Sequence, residues 1–315
     1  MVVRKVLAVA AVAVLVVPTA VRFLGDHAVP ALVAAASFTP YAVPPLAVAL
    51  ALLLRRQAWR ASAAIASVLA LNLAWLVPLW VPDRAPASGA TPLTVMTANL
   101  RLGEASPAAL VAAVRAHRVD VLALEELTPQ ALSALHRAGL DRELGHRTVR
   151  AVPGADGAGL WSRTPVAAVT WSHTWSRTPT ATIELRGRPV VVGVLHPAAV
   201  VLDGGRLYRD DYAATTDYTA GLDDATPTLL LGDLNASADN SELRELMGTR
   251  FRDAPELAGS GLLRTFSPSP RLPALLHLDH VLVDDAFGVT DTTVVDLPGS
   301  DHRALVARLG LAPRG

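Results

Sequence analysis

The stretch 229–240, LLLGDLNASADN, passes from three leucines directly into Gly232, Asp233 and Asn235. A chain reversal accounts for these residue types, because Gly, Asp and Asn tolerate turn geometry. A polar pocket accounts for them as well. In an extended chain, residues two apart project to one side, so Asp233 and Asn235 can serve one ligand. The pattern recurs along the chain: Asn99 follows VMTA, Glu126 follows VLALE and His196 follows VVGVL, while Asp279 and His280 follow LLHL, and Asp301 and His302 stand near the last strand-like run. Ligands of α/β sheets gather beyond strand ends, so side chains delivered this way can converge on one site. The set is rich in carboxylates and amides, with histidines beside them and no cysteine anywhere in the chain. Hard oxygen donors without thiolates favour Mg²⁺ or Mn²⁺ over zinc.

Regular elements must carry these groups. LTVMTANL (93–100) and VDVLALEEL (119–127) read as buried strands. The runs at 106–117 and 128–140 read as helices, with Ser106 and Thr128 as N-caps and Pro107 and Pro129 at the first helical position. Strand-like runs follow at 182–196, 226–235 and 276–285, with helical spacing at 206–222 and a short capped helix at 240–248. Strands outnumber helices beyond residue 150, which predicts a sheet-rich α/β sandwich rather than a doubly wound parallel sheet. WSRTP occurs at 161–165 and again at 175–179. Two copies are too few for a repeat architecture and suggest two antiparallel strands of one hairpin, or chance.

The N-terminal 81 residues have a different character. An apolar stretch runs from Val6 to about Val21, a charge-free one from Val29 to Leu54 and a third from Ala61 to Val81. A bilayer span needs roughly 20 apolar residues, so about three transmembrane helices are expected, the second kinked by Pro40, Pro44 and Pro45. The first stretch also has the length of a signal-peptide core. Arg4 and Lys5, and then Arg55, Arg56 and Arg60, place the N-terminus and the 55–60 loop in the cytoplasm and everything after about residue 85 outside. Three consecutive stretches argue against buried helices of a soluble protein. The expected organisation is a membrane anchor over 1–81, a linker over 82–92 and a catalytic domain over 93–315.

Charge separates these parts. The whole chain is neutral, but residues 86–315 hold 21 Arg against 26 Asp and Glu, a net of −5. Nucleic-acid affinity rests largely on cationic neutralisation of phosphates, so an acidic domain makes nucleic acid the less expected partner.

The ordered series TANLR, DVLALEEL, GLWSRTPV, VLHP, LLLGDLNA, LDHVLV and GSDHRALVARL resembles the endonuclease/exonuclease/phosphatase (DNase I-like) superfamily over about residues 93–310. With its apolar N-terminus, the chain is similar to the actinobacterial membrane-anchored members linked to teicoplanin resistance. The resemblance implies a four-layer α/β sandwich that cleaves phosphate esters with Mg²⁺ or Mn²⁺. It implies Glu126 as principal metal carboxylate, with Asn99 beside it and Asp301 in direct or outer contact. Glu125 stands where many relatives carry Gln, and strand alternation selects Glu126 of the two. His302, held by Asp279, is implied as general base or polarising group, with Asp233 as its rival for the base role. Asn235 would orient the phosphate, and His196 would bind a phosphate oxygen or protonate the leaving group. Arg163, Arg206 and Tyr208 are candidate substrate contacts, and His280 faces away from the pocket.

The expected function is a membrane-anchored, extracytoplasmic phosphoesterase. Location and resemblance together point to a lipid-linked phosphate of the undecaprenyl pyrophosphate type, with the bilayer as partner. An extracytoplasmic endonuclease/exonuclease and a catalytically silent membrane-anchored binding module are the alternatives.

Overall fold

The computed structural model describes residues 16–269 and 271–314. One six-stranded sheet runs in the order β11 (Phe287–Asp296), β12 (Arg303–Leu311), β1 (Thr91–Asn99), β2 (Val121–Glu125), β4 (Ala158–Ser162) and β3 (His146–Arg150). The other runs β5 (Val166–Trp171), β6 (Pro179–Leu185), β7 (Arg188–Val194), β8 (Thr228–Asp233), β10 (Asp279–Val283) and β9 (Arg252–Asp253).

Alternation along each strand decides which layer a side chain joins. Leu93 and Val95 of β1, Val121 and Ala123 of β2, Val190, Val192 and Val194 of β7, Leu229 and Leu231 of β8, and Val281 and Val283 of β10 share one core between the sheets. The alternate residues Met96, Ala98, Leu122 and Leu124 pack outward with Leu110 and Val114 of helix Pro107–His117 and Leu135 of helix Pro129–Ala138. Leu230 and Leu282 pack outward with Tyr208 and Tyr212 of helix Arg206–Ala220 and Leu243 of helix Ser241–Met247. The result is a mixed α/β sandwich layered helix, sheet, sheet, helix.

The expected caps form: Ser106 accepts from the Ala109 N–H at 3.3 Å and Thr128 from the Ala131 N–H at 3.2 Å. The WSRTP copies do not pair with each other. The first ends β4 in one sheet and the second leads into β6 in the other, so similarity of sequence here does not reflect a shared hairpin.

Among the described residues one helix, Trp59–Trp80, is long and apolar enough to cross a membrane, with mean hydropathy 1.8. At 1.5 Å per residue its 22 residues span about 33 Å. The stretch expected as a second span is bent by 57° between Pro30–Ser37 and Thr39–Arg55. The break falls just before Pro40, whose ring disfavours helical backbone at the residue preceding it. The first stretch falls mostly outside the described residues.

Residues 22–41 are bonded to the sandwich rather than tethered beside it. Asp26 is buried and accepts from Asn240 Nδ2 at 3.0 Å and Ser241 Oγ at 2.6 Å. Ser37 Oγ donates to Asn240 Oδ1 at 3.0 Å, Tyr41 OH donates to the Leu275 carbonyl at 2.6 Å, and Ala28 and Val33 join the outer core of the second sheet. Segment 82–92 also packs down, with Asp83 N–H on the Leu257 carbonyl and Val289 N–H on the Arg84 carbonyl.

Candidate active site

The rows that fill the intersheet core turn polar at one end of the sandwich. Leu93 and Val95 are followed on the same face of β1 by Thr97 and Asn99, Val121 and Ala123 of β2 by Glu125, and Leu229 and Leu231 of β8 by Asp233. Register then fixes the neighbours: Asn99 lies opposite Glu125, and Asp279 at the start of β10 lies opposite Asp233.

Asp233 is the meeting point. Its Oδ2 accepts from Asn99 Nδ2 at 2.9 Å and lies 3.5 Å from His302 Nε2 and 3.9 Å from His196 Nε2. Its Oδ1 accepts the Asn235 N–H at 2.9 Å. Asn99 Nδ2 also donates to Glu126 Oε1 at 3.0 Å, and Asn99 Oδ1 accepts the Arg101 N–H. Glu126 Oε2 accepts the Leu102 N–H at 2.7 Å. Glu126 lies one residue beyond β2 with φ +54°, and Asn235 has φ +50°. Left-handed backbone is strained for Glu and tolerated by Asn, so at Glu126 strain sits where the carboxylate is aimed.

His302 is buried between two carboxylates. Its Nδ1 is 2.8 Å from Asp279 Oδ2, and Phe266 packs against the ring at a centroid distance of 4.8 Å. Burial opposes protonation, but Asp279 and Asp233 outweigh it and push the imidazole up to about 10. The two carboxylates thus favour the imidazolium form of His302. Asp279 is steadied by its own N–H on Thr265 Oγ1, and Ser300 Oγ joins the Asn99 carbonyl to the His302 N–H.

Several expectations change at this point. Glu125 is fully buried beneath the site, held by Thr97 Oγ1 at 3.0 Å, so both members of the Glu125–Glu126 pair reach the polar end. Burial, reinforced by Asp279 and Asp233, raises its carboxyl well above the usual range. Asp301 sits at the rim with its carboxylate 3.8 Å from Arg101 Nε. Asn235 Nδ2 donates to the Pro197 carbonyl at 3.0 Å and so ties its loop to that of His196. Tyr208 is buried against Tyr212, Arg206 pairs with Asp203, and Arg163 bonds Asp120 and the Glu143 carbonyl, so none of the three lines the site.

Sequence reasoning missed Asp211. Its carboxylate accepts the Trp175 and Ala198 N–H groups at 3.0 Å each and so clamps the loop after His196. Only its position in the 206–222 helical pattern was visible, and that pattern does not show where the side chain reaches.

Gly232 sets the spacing of the two β-strand ends. A Cβ there would lie 1.8 Å from the Leu195 carbonyl oxygen, so any other residue pushes apart the segments that carry His196 and Asp233. Gly232→Ala is expected to lower stability by about 1–3 kcal/mol, as overpacking does, and to reduce turnover along with it. Wild-type stability with wild-type kcat would refute this role.

The donor set suits a divalent cation. Asp233, Asp279 and Glu126 supply three carboxylates against one imidazolium, leaving two negative charges, and Asp279 Oδ1 is buried without a hydrogen-bond partner. Hard oxygens in this number match Mg²⁺ or Mn²⁺.

The sequence profile of the Endonuclease/Exonuclease/phosphatase family matches residues 96–302, which contain every one of these side chains. No curated protein matches the chain in sequence. Among solved structures, TDP2 from D. rerio with a single-stranded DNA product is similar at TM-score 0.58 and 13% identity, covering 69% of this chain and 98% of that one. An AP endonuclease from Archaeoglobus fulgidus gives 0.55 and 15%, covering 68% and 98%. An endonuclease/exonuclease/phosphatase from Beutenbergia cavernae gives 0.53 and 21%, covering 70% and 72%. Because the profile spans the strand ends that build the site, from β1 to His302, the chain belongs to the Endonuclease/Exonuclease/phosphatase family of metal-dependent phosphate-ester hydrolases.

Proposed function

We propose that this protein is a membrane-anchored, Mg²⁺-dependent phosphoesterase whose sandwich lies outside the cytoplasm and removes phosphate from a lipid-linked substrate of the undecaprenyl pyrophosphate type. The convergence of Asn99, Glu126, Asp233, Asp279 and His302 on one polar end carries the catalytic part of this reading. A cation held by Glu126 and Asn99, with Asp301 at the rim, would neutralise charge on the phosphoryl oxygens. Asp233, which faces the pocket between Asn99 and His302, accepts the proton of the attacking water. His302, fixed by Asp279, offers its Nε2–H to a phosphoryl oxygen in the transition state. His196 gives a proton to the leaving oxygen as the bond to phosphorus breaks.

The N-terminal geometry supports anchoring. The turn at Asp26 and the exit at Asp83 both bond to the sandwich, whereas Arg55, Arg56 and Arg60 stand where helix Val43–Arg55 meets helix Trp59–Leu76. This is the arrangement the positive-inside rule gives for an exported domain. A lipid substrate is supported by exposed apolar side chains on segments that continue from residues of the site. Leu102 (50% exposed) bonds Glu126 through its N–H, Val201 (76%) follows His196, and Leu272 (50%) lies on the loop after Phe266.

Full-length protein in detergent with Mg²⁺, assayed on a polyprenyl pyrophosphate and on plasmid DNA, tests the reading. Phosphate release from the lipid, lost in His302→Ala, is expected. DNA nicking alone would favour the nuclease reading, to which the similarity with DNA-bound TDP2 lends weight. Hydrolysis of neither substrate, nor of a generic phosphodiester, in any divalent cation would leave only a binding module.

A further inference from the structure

A second group of metal-ligating side chains lies outside this site. Strand alternation on β10 sends Asp279 toward His302 and its neighbour His280 to the opposite side, where Asp253 of β9 and His277 wait. Asp253 Oδ2 is 2.8 Å from His280 Nδ1 and 3.2 Å from His277 Nε2, and the two rings are 4.4 Å apart. Ligand atoms around a tetrahedral ion at 2.0–2.1 Å are separated by about 3.3 Å, so the cluster closes on an ion with little movement.

Two further features belong to a metal centre. His280 Nε2 donates to the Ala236 carbonyl at 2.9 Å, so the proton given up on metal binding is the one Nδ1 directs at Asp253, which frees Nδ1 to ligate. Ligating histidines are commonly oriented in this way, by a carbonyl at the second ring nitrogen. Asp253 Oδ1 and His277 Nδ1 are buried without hydrogen-bond partners, although Asp253 is only 4% exposed. Asp253 and His277 also line a cavity closed on its far side by Ser37, Tyr41 and Leu79 of the N-terminal region, leaving room for a fourth ligand such as water.

We propose that Asp253, His277 and His280 form a second, structural metal site that takes a borderline transition cation of the Zn²⁺ class. Two imidazoles with one carboxylate favour such an ion, whereas the oxygen-rich active site favours Mg²⁺. The position gives it a task. His280 adjoins Asp279, and Ala236 lies three residues beyond Asp233, so an ion here fixes the strand and loop that deliver both catalytic carboxylates.

The test uses full-length protein in detergent, stripped with chelator, dialysed against excess Mg²⁺ and then titrated with Zn²⁺ or Co²⁺. About one equivalent per chain should bind, with the intense visible bands of four-coordinate Co²⁺ and a raised Tm. Glu126→Gln, altered only in the active site, should keep that equivalent, and His277→Ala should lose both the bands and the Tm rise. Failure of wild-type and Glu126→Gln proteins to hold Zn²⁺ against Mg²⁺ would overturn the proposal and leave a buried ion pair. So would binding that His277→Ala leaves unchanged. If His277→Ala does not fold, Asp253→Asn replaces it, and the Glu126→Gln result still decides whether an ion binds outside the active site.

Discussion

Asp233→Asn is expected to lower kcat about 10³-fold, within the 10²–10⁴ range for loss of a general base. The substitution keeps the size of the side chain and the turn that Oδ1 makes with the Asn235 N–H. It removes the charge that faces His302 Nε2 at 3.5 Å and His196 Nε2 at 3.9 Å, and the group that takes a proton from water. Turnover of a generic phosphodiester at saturating Mg²⁺ measures the effect. Asp291→Asn is the control: its carboxylate pairs with Arg308 on the exposed face of β11 and β12, and a loss below about tenfold is expected there, as for a surface charge outside the site. An Asp233→Asn protein with more than a tenth of wild-type kcat would remove Asp233 from the base role and return His302 to it.

The period-2 pattern made most of the sandwich legible. Alternation in β1, β2 and β8 separates the two faces, and the points where Asn99 and Asp233 interrupt apolar rows mark the polar end in three dimensions. Turn and pocket were offered as rival explanations of GDLN, and the structure uses both: Asp233 Oδ1 closes a turn while Oδ2 serves the pocket. Alternation failed where the chain leaves the strand. It selected Glu126 over Glu125, yet the in-facing strand position is that of Glu125, and Glu126 reaches the site through a left-handed backbone that no local pattern announces. Asp211 and the Asp253–His277–His280 group were invisible for a related reason. Their partners come from elements 13 to 44 positions away, and only packing brings them together.

Asp279→Asn should change stability in a pH-dependent way that identifies His302 as the buried cation. The folded-state value for His302 is raised to about 10 from an ordinary 6.5. A raised value means that the stabilisation is fully present below pH 6.5 and is lost as pH rises toward 10, amounting to roughly 5 kcal/mol at 1.36 kcal/mol per unit. Asn keeps an acceptor for Nδ1–H but not the negative charge, and removing a neighbouring carboxylate lowers a histidine by about 1–3 units. The variant should therefore be less stable than wild type by roughly 1.4–4 kcal/mol at pH 6–7. That gap should narrow steadily between about pH 8 and 10, as wild type loses the proton that the variant has already lost. Denaturation of metal-free, full-length protein across pH 6–10.5 measures both curves. A gap that stays constant to pH 10.5 would show that His302 is neutral throughout, and the electrostatic role assigned to its Nε2–H would fall with it.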